Sequence, residues 1–415
     1  MRTLVLLGGQ PLEGEVTVQG SKNAVLPMMA ASLLHRGMTE LTNVPHIEDV
    51  FVMKHLLEET GAKVEWEGHR LRIDGSGVRN TCLSAEYGRQ SRCSVLLLGA
   101  LLARAGEAEL SRPGGCAIGK RPIDFHIRAL EALGARVIET EDRVRAWAAN
   151  GLHGASVILP FPSVGATENA ILAAAGAEGV TILCGCAREP EIRDLCEFLQ
   201  GMGTRVEGIG SSRLVIRKNR LHDSSFAVGG DRIAAGTCLA AVAAAGGKIE
   251  LRGVRSTDLN GMWEAFRSLG MQLQAEPERV IGAFQGRPDP IRELVTKPFP
   301  GFPTDMQSLF LAVLCRAKGE SRIRETIFEQ RFGTVSELRR MGAVIREEDG
   351  GVAVCGQACL KGAEVEAKDL RGAAALAVAA LGAEGETRLT GIQHMMRGYE
   401  DLPGDLRRLG ARILA

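Results

Sequence analysis

The chain has 415 residues, 45% hydrophobic and 24% charged, with 50 basic residues balanced by 50 acidic ones. Such a composition belongs to a globular protein with a large core and room for two or three domains, and the zero net charge argues against a nonspecific nucleic-acid binder, which carries a basic excess. No apolar run approaches the roughly 18 residues of a membrane span. The apolar stretch of MRTLVLLGGQ is too short for a signal peptide and reads as a strand, so the expected compartment is the cytoplasm.

In chain order, one pattern recurs six times. An apolar, helix-like stretch reaches a glycine at Gly37, Gly106, Gly179, Gly247, Gly319 and Gly385. An extended segment and a second helical stretch then lead to another glycine at Gly61, Gly134, Gly203, Gly270, Gly342 and Gly410. A period of about 70 residues means six copies of one supersecondary unit. The first copy opens with GSKNA, which carries Lys22 and Asn23, and the second with QSRCS, which carries Arg92 and Cys93. The second copy also holds a long glycine-rich loop, SRPGGCAIGKRPIDFH, with Cys116, Lys120 and Arg121. Its glycines and charges predict a lid rather than packing.

The third copy shows the unit most clearly. ASVILP reads as a strand, PSVGATENAILAAAGAEG as a loop and a helix ended by glycine, and VTILCG as a strand. AREPEIRDLCEFLQGMG follows as a helix with Pro190 in its first turn, and TRVEGIGSSRLVIRK as a hairpin. The order is β-α-β-α-β-β. FAVGGDRIAAGTCLAAVAAAGG opens the fourth copy in the same way. The fifth carries PTDMQ and ETIFEQRFG, with Asp305 and Arg331; the sixth carries KDLRG and GIQHMMRGYED, with Asp369, Arg371 and Arg397. The first helix of each copy is apolar on every side and is expected to be buried on every side, while the second carries a charged face and should lie outside. No Pro- or Ser-rich linker divides the copies.

Each buried helix is preceded by a polar loop. Ser163, Asp231, Asp305 and Asp369 are good helix caps, and capping alone explains such residues. Lys22, Arg92 and Arg371 are poor neighbours for a helix N-terminus, because a cation opposes the dipole; a bound anion would account for them. Most of the ten cysteines sit in apolar patterns and read as reduced, packed thiols. Cys116 differs, since Gly115, Ala117 and Gly119 offer it no apolar shell and nearby cations favour its thiolate. Cys93, directly after Arg92, is a second thiol open to modifiers. No cysteine or histidine spacing predicts a metal site.

The motifs GSKNAVLP, RPGGCAIGKRPIDFHI, PSVGATEN, AREPEI, GFPTDMQ, FEQRF, DLRGAAAL and RGYEDL occur in the order of a known family. Across essentially its whole length the chain resembles the UDP-N-acetylglucosamine 1-carboxyvinyltransferases, the enolpyruvyl transferases that open peptidoglycan synthesis for the cell wall. The resemblance implies an α/β fold of two inside-out α/β barrels, with three β-α-β-α-β-β repeats in each. Residues 1–21 plus 230–415 would form one domain and 22–229 the other, with the active site in the cleft between them. It implies phosphoenolpyruvate and UDP-N-acetylglucosamine as small-molecule substrates, no cofactor and no metal, no nucleic-acid or membrane partner, and a monomer or weak homo-oligomer.

The resemblance also implies residue roles. Lys22, Asn23, Arg121, Arg331, Arg371 and Arg397 would hold phosphoenolpyruvate, with Lys22 and Arg397 also counted as catalytic. Cys116 would give a proton to its methylene carbon, form a covalent adduct and be the thiol alkylated by fosfomycin. Asp305 would take the sugar hydroxyl proton, with Asp369 as an alternative or assistant. Arg92, Arg121, Pro122, Ile123, Asp124, Phe125, Ser163, Val164, Asp305 and Ile327 would contact the nucleotide sugar. The alternative is a 5-enolpyruvylshikimate-3-phosphate synthase-like transferase, which has the same fold and donor but lacks the cysteine-bearing loop.

Overall fold

The computed structural model describes residues 3–114, 119 and 121–414. The expected lid, with Cys116 and Lys120, lies outside the described residues. The chain divides into two compact units. One takes the residues through Gln19 and those from Gly230 onward; the other takes Gly20–Gly115 and Arg121–Gly229.

The Gly20–Gly229 unit is built on three helices, Lys22–Ser32, Leu96–Ala105 and Val164–Gly176, which pack on one another. Their sequences are almost entirely Ala, Leu, Val and Met. Such a surface finds no favourable exposed side, and nearly every residue in them is buried. Around them lie three sheets. Met38–Thr42 pairs antiparallel with Arg70–Asp74, which pairs with Lys63–Glu67. Glu107–Ser111, Arg143–Trp147 and Arg136–Glu139 form the second, and Ser156–Ile158, Val180–Cys184, Arg213–Arg217 and Arg205–Glu207 the third. The helices Glu48–Glu59 and Asp124–Ala132 each bury one face, whereas Pro190–Gly201, expected to lie outside, buries most of its residues, Glu191 and Asp194 included.

The other unit repeats the plan. Its inner helices are Arg232–Ala245, Gln307–Leu314 and Leu370–Leu381, again in mutual contact and buried. Its main sheets are organised on Gly247–Arg252, Glu320–Arg324 and Glu386–Thr390. The fold is therefore mixed α/β with six repeats, as the periodicity predicts.

The second glycine of every repeat sits where only glycine is comfortable. Gly61, Gly134, Gly203, Gly270, Gly342 and Gly410 have φ of 95°, 96°, 111°, 91°, 90° and 90°. This left-handed residue ends the outer helix and turns the chain into the hairpin. The first glycine is less uniform. Gly106, Gly179, Gly247 and Gly385 have positive φ, whereas Gly37 and Gly319 are not among the positive-φ residues. At Gly37 a Cβ would sit 2.3 Å from Asp223 Oδ1 and 2.4 Å from His35 Nε2, the ends of two side chains that would have to move aside.

One expectation needs correction. FAVGG does not supply a strand to the fourth repeat's sheet. Ser224–Ala227 pairs in parallel with Thr39–Thr42, completing the first repeat's sheet. The place beside Gly247–Arg252 is taken by Leu12–Thr17, also in parallel, and Leu4–Leu7 joins the last sheet between Glu386–Thr390 and Arg412–Leu414. Repeat pattern specifies that a strand is present, but not which sheet edge receives it.

Candidate active site

The polar loops before the inner helices do two different jobs. Ser21, Ser163, Asp231 and Asp369 are N-caps whose side chains accept backbone N–H groups. Each such cap is worth about 1 kcal/mol. Asp369 Oδ1 receives Arg371 N and Gly372 N at 3.0 and 2.9 Å, so this oxygen is committed to its own helix. Asp305 is not a cap. Its helix is entered through a 3-10 turn, Thr304–Met306, and its carboxylate is held by two arginines.

Arg371 Nη2 donates to Asp305 Oδ2 at 2.8 Å, and Arg331 Nη2 donates to Asp305 Oδ1. Both guanidinium groups are almost fully buried, at 4% and 8% exposure, and the carboxylate supplies the counter-charge their burial demands. Burial works against the charge on Arg371, but Asp305, Tyr399 and Asp231 outweigh it and hold its pKa above the ordinary arginine value. Arg331 lies over the Phe328 ring, 5.3 Å from its centroid, and its Nε donates to Thr304 Oγ1 at 3.3 Å.

Glu325 organises this corner. Its Oε2 accepts Thr304 Oγ1 at 2.8 Å; its Oε1 accepts Thr296 Oγ1, Ile327 N and Phe328 N at 2.9, 2.8 and 3.2 Å. The turn that carries Ile327, Phe328 and Arg331 is thus tied to the turn that carries Asp305. Sequence reading missed Glu325, although it lies in the FEQRF neighbourhood. Arg397 is half-buried at the end of the turn Ile392–Arg397.

In the Gly20–Gly229 unit, Lys22 begins its helix and pairs with Asp49 at 2.5 Å; Asn23 beside it is half-buried. Lys22 and Arg371 thus oppose their helix dipoles with internal carboxylates, Asp49 and Asp305, as partners. Arg92 Nη2 donates to the Pro122 carbonyl at 3.0 Å, bringing the second repeat's two loops together. Burial and the nearby Arg121 charge lower the Arg92 pKa to about 10. Ile123 is buried before the helix that starts at Asp124, Phe125 packs against the core, and Ser163 and Val164 open the third repeat's inner helix.

His126, also missed from sequence, joins these loops. Asn169 Nδ2 lies 3.1 Å from His126 Nδ1 and 3.1 Å from the Val95 carbonyl, while Asn169 Oδ1 accepts Gly99 N at 2.7 Å. An amide NH2 only donates, so Nδ1 is the acceptor and the proton resides on Nε2. Burial, then Arg92 and Arg121, lower the His126 pKa to about 3. Between pH 6.5 and about 3 the unfolded chain therefore binds a proton that the folded chain refuses, and stability falls as the pH drops through that window. His126→Gln removes the titration. In melts from pH 7 to pH 4, the wild type is expected to lose more stability than the variant.

Cysteine placement is mixed. Cys186, Cys196, Cys238 and Cys315 are buried, but Cys82 and Cys355 are exposed, so the expected packing does not extend to these two. Cys93 is half-buried, and burial, with Asp49 next in weight, pushes its thiol up to about 11. Burial and the neighbouring Glu191 and Glu189 push Glu168 well above the carboxylate range.

The EPSP synthase (3-phosphoshikimate 1-carboxyvinyltransferase) family model matches residues 6–406. Among solved structures, the enolpyruvyl transferase NikO from Streptomyces tendae superposes with a TM-score of 0.89 at 24% identity, covering 99% of this chain and 98% of that one. EPSP synthase from Acinetobacter baumannii gives 0.76 at 19% identity, with 99% of each chain covered. The fold is that of the enolpyruvyl transferases.

Within that class, the UDP-N-acetylglucosamine 1-carboxyvinyltransferase of Zymomonas mobilis is 45% identical over 100% of this chain and 99% of its own length. The enzyme 1 of that name from Halalkalibacterium halodurans is 43% identical over 100% of this chain and 94% of its own. The chain belongs to the UDP-N-acetylglucosamine 1-carboxyvinyltransferase family, within the wider EPSP synthase group.

Proposed function

We propose that this chain transfers the enolpyruvyl group of phosphoenolpyruvate to the 3′-hydroxyl of UDP-N-acetylglucosamine and releases phosphate. The observation that carries this reading is a carboxylate, Asp305, held between two buried arginines, Arg331 and Arg371. A base for an alcohol and two receptors for an anionic donor are what the addition step needs. Planar guanidinium groups grip carboxylate and phosphate equally well.

In the proposed sequence, Asp305 takes the 3′-hydroxyl proton as the oxygen adds to C2 of the donor, and Cys116 gives a proton to C3. The resulting tetrahedral adduct then expels phosphate and returns a methyl proton to the Cys116 thiolate, forming the enol ether of the product. Arg331 and Arg371 are shared between Asp305 and the incoming donor carboxylate; once they engage the donor, Asp305 is released to act as a base. Lys22, Asn23, Arg121 and Arg397 are assigned to the donor, and Arg92, Pro122, Ile123, Asp124, Phe125, Ser163, Val164 and Ile327 to the nucleotide sugar. Asp369, committed to capping, is the weaker candidate for the base. Residues 1–21 with 230–415, and 22–229, are assigned as the two three-repeat domains.

Phosphate release from phosphoenolpyruvate tests this. Release is expected with UDP-N-acetylglucosamine and not with shikimate 3-phosphate; the reverse would overturn the assignment in favour of the sister activity.

A further inference from the structure

We propose that Tyr399 is a positioning residue for this transfer, acting with Thr237 to fix the direction of Arg371. A hydrogen-bond chain runs from the Ile233 carbonyl to Arg371, and its polarity is set at both ends. Thr237 Oγ1 lies 2.7 Å from the Ile233 carbonyl and 2.8 Å from Tyr399 Oη; Tyr399 Oη lies 3.2 Å from Arg371 Nη1. A carbonyl can only accept, so the single Thr237 hydroxyl proton goes to Ile233. Tyr399 must then donate to Thr237, which leaves its oxygen to accept from Arg371, and a guanidinium can only donate. Every proton in the chain is assigned, with none left to reverse it.

The geometry gives Arg371 two separate duties. Nη1 is occupied by Tyr399, and Nη2 faces the Asp305 carboxylate. The guanidinium also sits 5.5 Å from the Tyr399 ring centroid, within cation–π reach. Thr237 is fully buried and Tyr399 is 3% exposed, so neither meets bulk water that could replace the bond. In the proposed reaction Arg371 exchanges Asp305 for the donor carboxylate. An arginine held by one end only would swing with whichever anion it pairs; the Tyr399 contact keeps Nη2 aimed while its partner changes. Thr237 and Tyr399 lie in different repeats, on the Arg232–Ala245 helix and just beyond Arg397, which is why no local pattern marks them as a pair.

This inference deepens the function proposed above and rests on it for its kinetic arm. Tyr399→Phe and Thr237→Val each remove one hydroxyl with little change of shape. Each is expected to lower kcat by about tenfold, the scale of one charge-assisted hydrogen bond, with KM for the nucleotide sugar unchanged. Thr237→Ser, which restores the acceptor, is expected to stay within about twofold of wild type. Because both substitutions break one chain, the double variant should be no slower than the slower single one. Unchanged kcat in folded Tyr399→Phe, or effects that multiply in the double variant, would overturn the proposal.

A readout independent of turnover separates its failure from that of the function. With 15N-labelled arginine, the two Nη groups of Arg371, identified by their loss in Arg371→Lys, are expected to give separate signals in the wild type. They should merge in Tyr399→Phe as the guanidinium begins to rotate. Already merged signals in the wild type would refute the anchoring, whatever reaction the protein catalyses. If the signals behave as expected but neither acceptor supports phosphate release, the anchoring stands and the assigned reaction falls.

Discussion

Asp305→Asn is expected to lower kcat by about 10²–10⁴, the contribution of a well-placed general base, while KM for the nucleotide sugar stays within about threefold. The substitution keeps the side chain's shape but removes its charge and most of its basicity. It also leaves Arg331 and Arg371 buried beside a neutral amide, and a buried ion pair broken from one side costs about 3–5 kcal/mol. The variant should therefore melt at a lower temperature, and added phosphoenolpyruvate, an alternative counter-anion, should recover part of the loss. Steady-state phosphate release and melting curves with and without donor check both parts. A normal kcat would move the base role to Asp369, where one carboxylate oxygen already receives two backbone N–H groups.

Cys116→Ser is expected to lower turnover by a similar factor of about 10²–10⁴, because a serine hydroxyl is far too weak an acid to protonate carbon. Cys116→Asp should retain activity, since a carboxyl can serve as the donor, and should escape fosfomycin. The structure sharpens the labelling control. Cys93 is the other thiol in the motif-bearing loops, and burial keeps it in the neutral thiol form with a pKa of about 11. Peptide mapping after fosfomycin treatment should find the adduct on Cys116 alone and none in Cys116→Ser. Normal turnover by Cys116→Ala would refute the general-acid role.

The repeats were legible because their markers are local. A left-handed residue after an outer helix demands glycine wherever it occurs, and Gly61 through Gly410 announce the turn without reference to the rest of the chain. Burial of the inner helices was legible for the same reason, since an all-apolar helix carries its environment in its own composition. Pairings were not. Nothing near Ser224–Ala227 says that its partner is Thr39–Thr42, because an edge strand's choice depends on where the sheet edges lie in space. The same holds at the site. Asp305, Arg331 and Arg371 could be singled out as unusual residues, but their mutual neutralisation came only with coordinates. His126, Glu325, Thr237 and Tyr399 act through partners tens to more than a hundred residues away, so no spacing rule exposes them.

The displaced strands impose an order on synthesis. Leu4–Leu7 and Leu12–Thr17 are made well before their sheet neighbours, which begin at Glu386 and Gly247. By contrast, once Ser224–Ala227 has emerged, every strand of the Gly20–Gly229 unit is available. Leu12–Thr17 must wait, edges unsatisfied, until Gly247–Arg252 is made, and Leu4–Leu7 until the strands Glu386–Thr390 and Arg412–Leu414 appear. An unpaired β-edge is thereby exposed during synthesis, for over 200 residues in one strand and over 370 in the other, a window in which such edges are prone to mispairing.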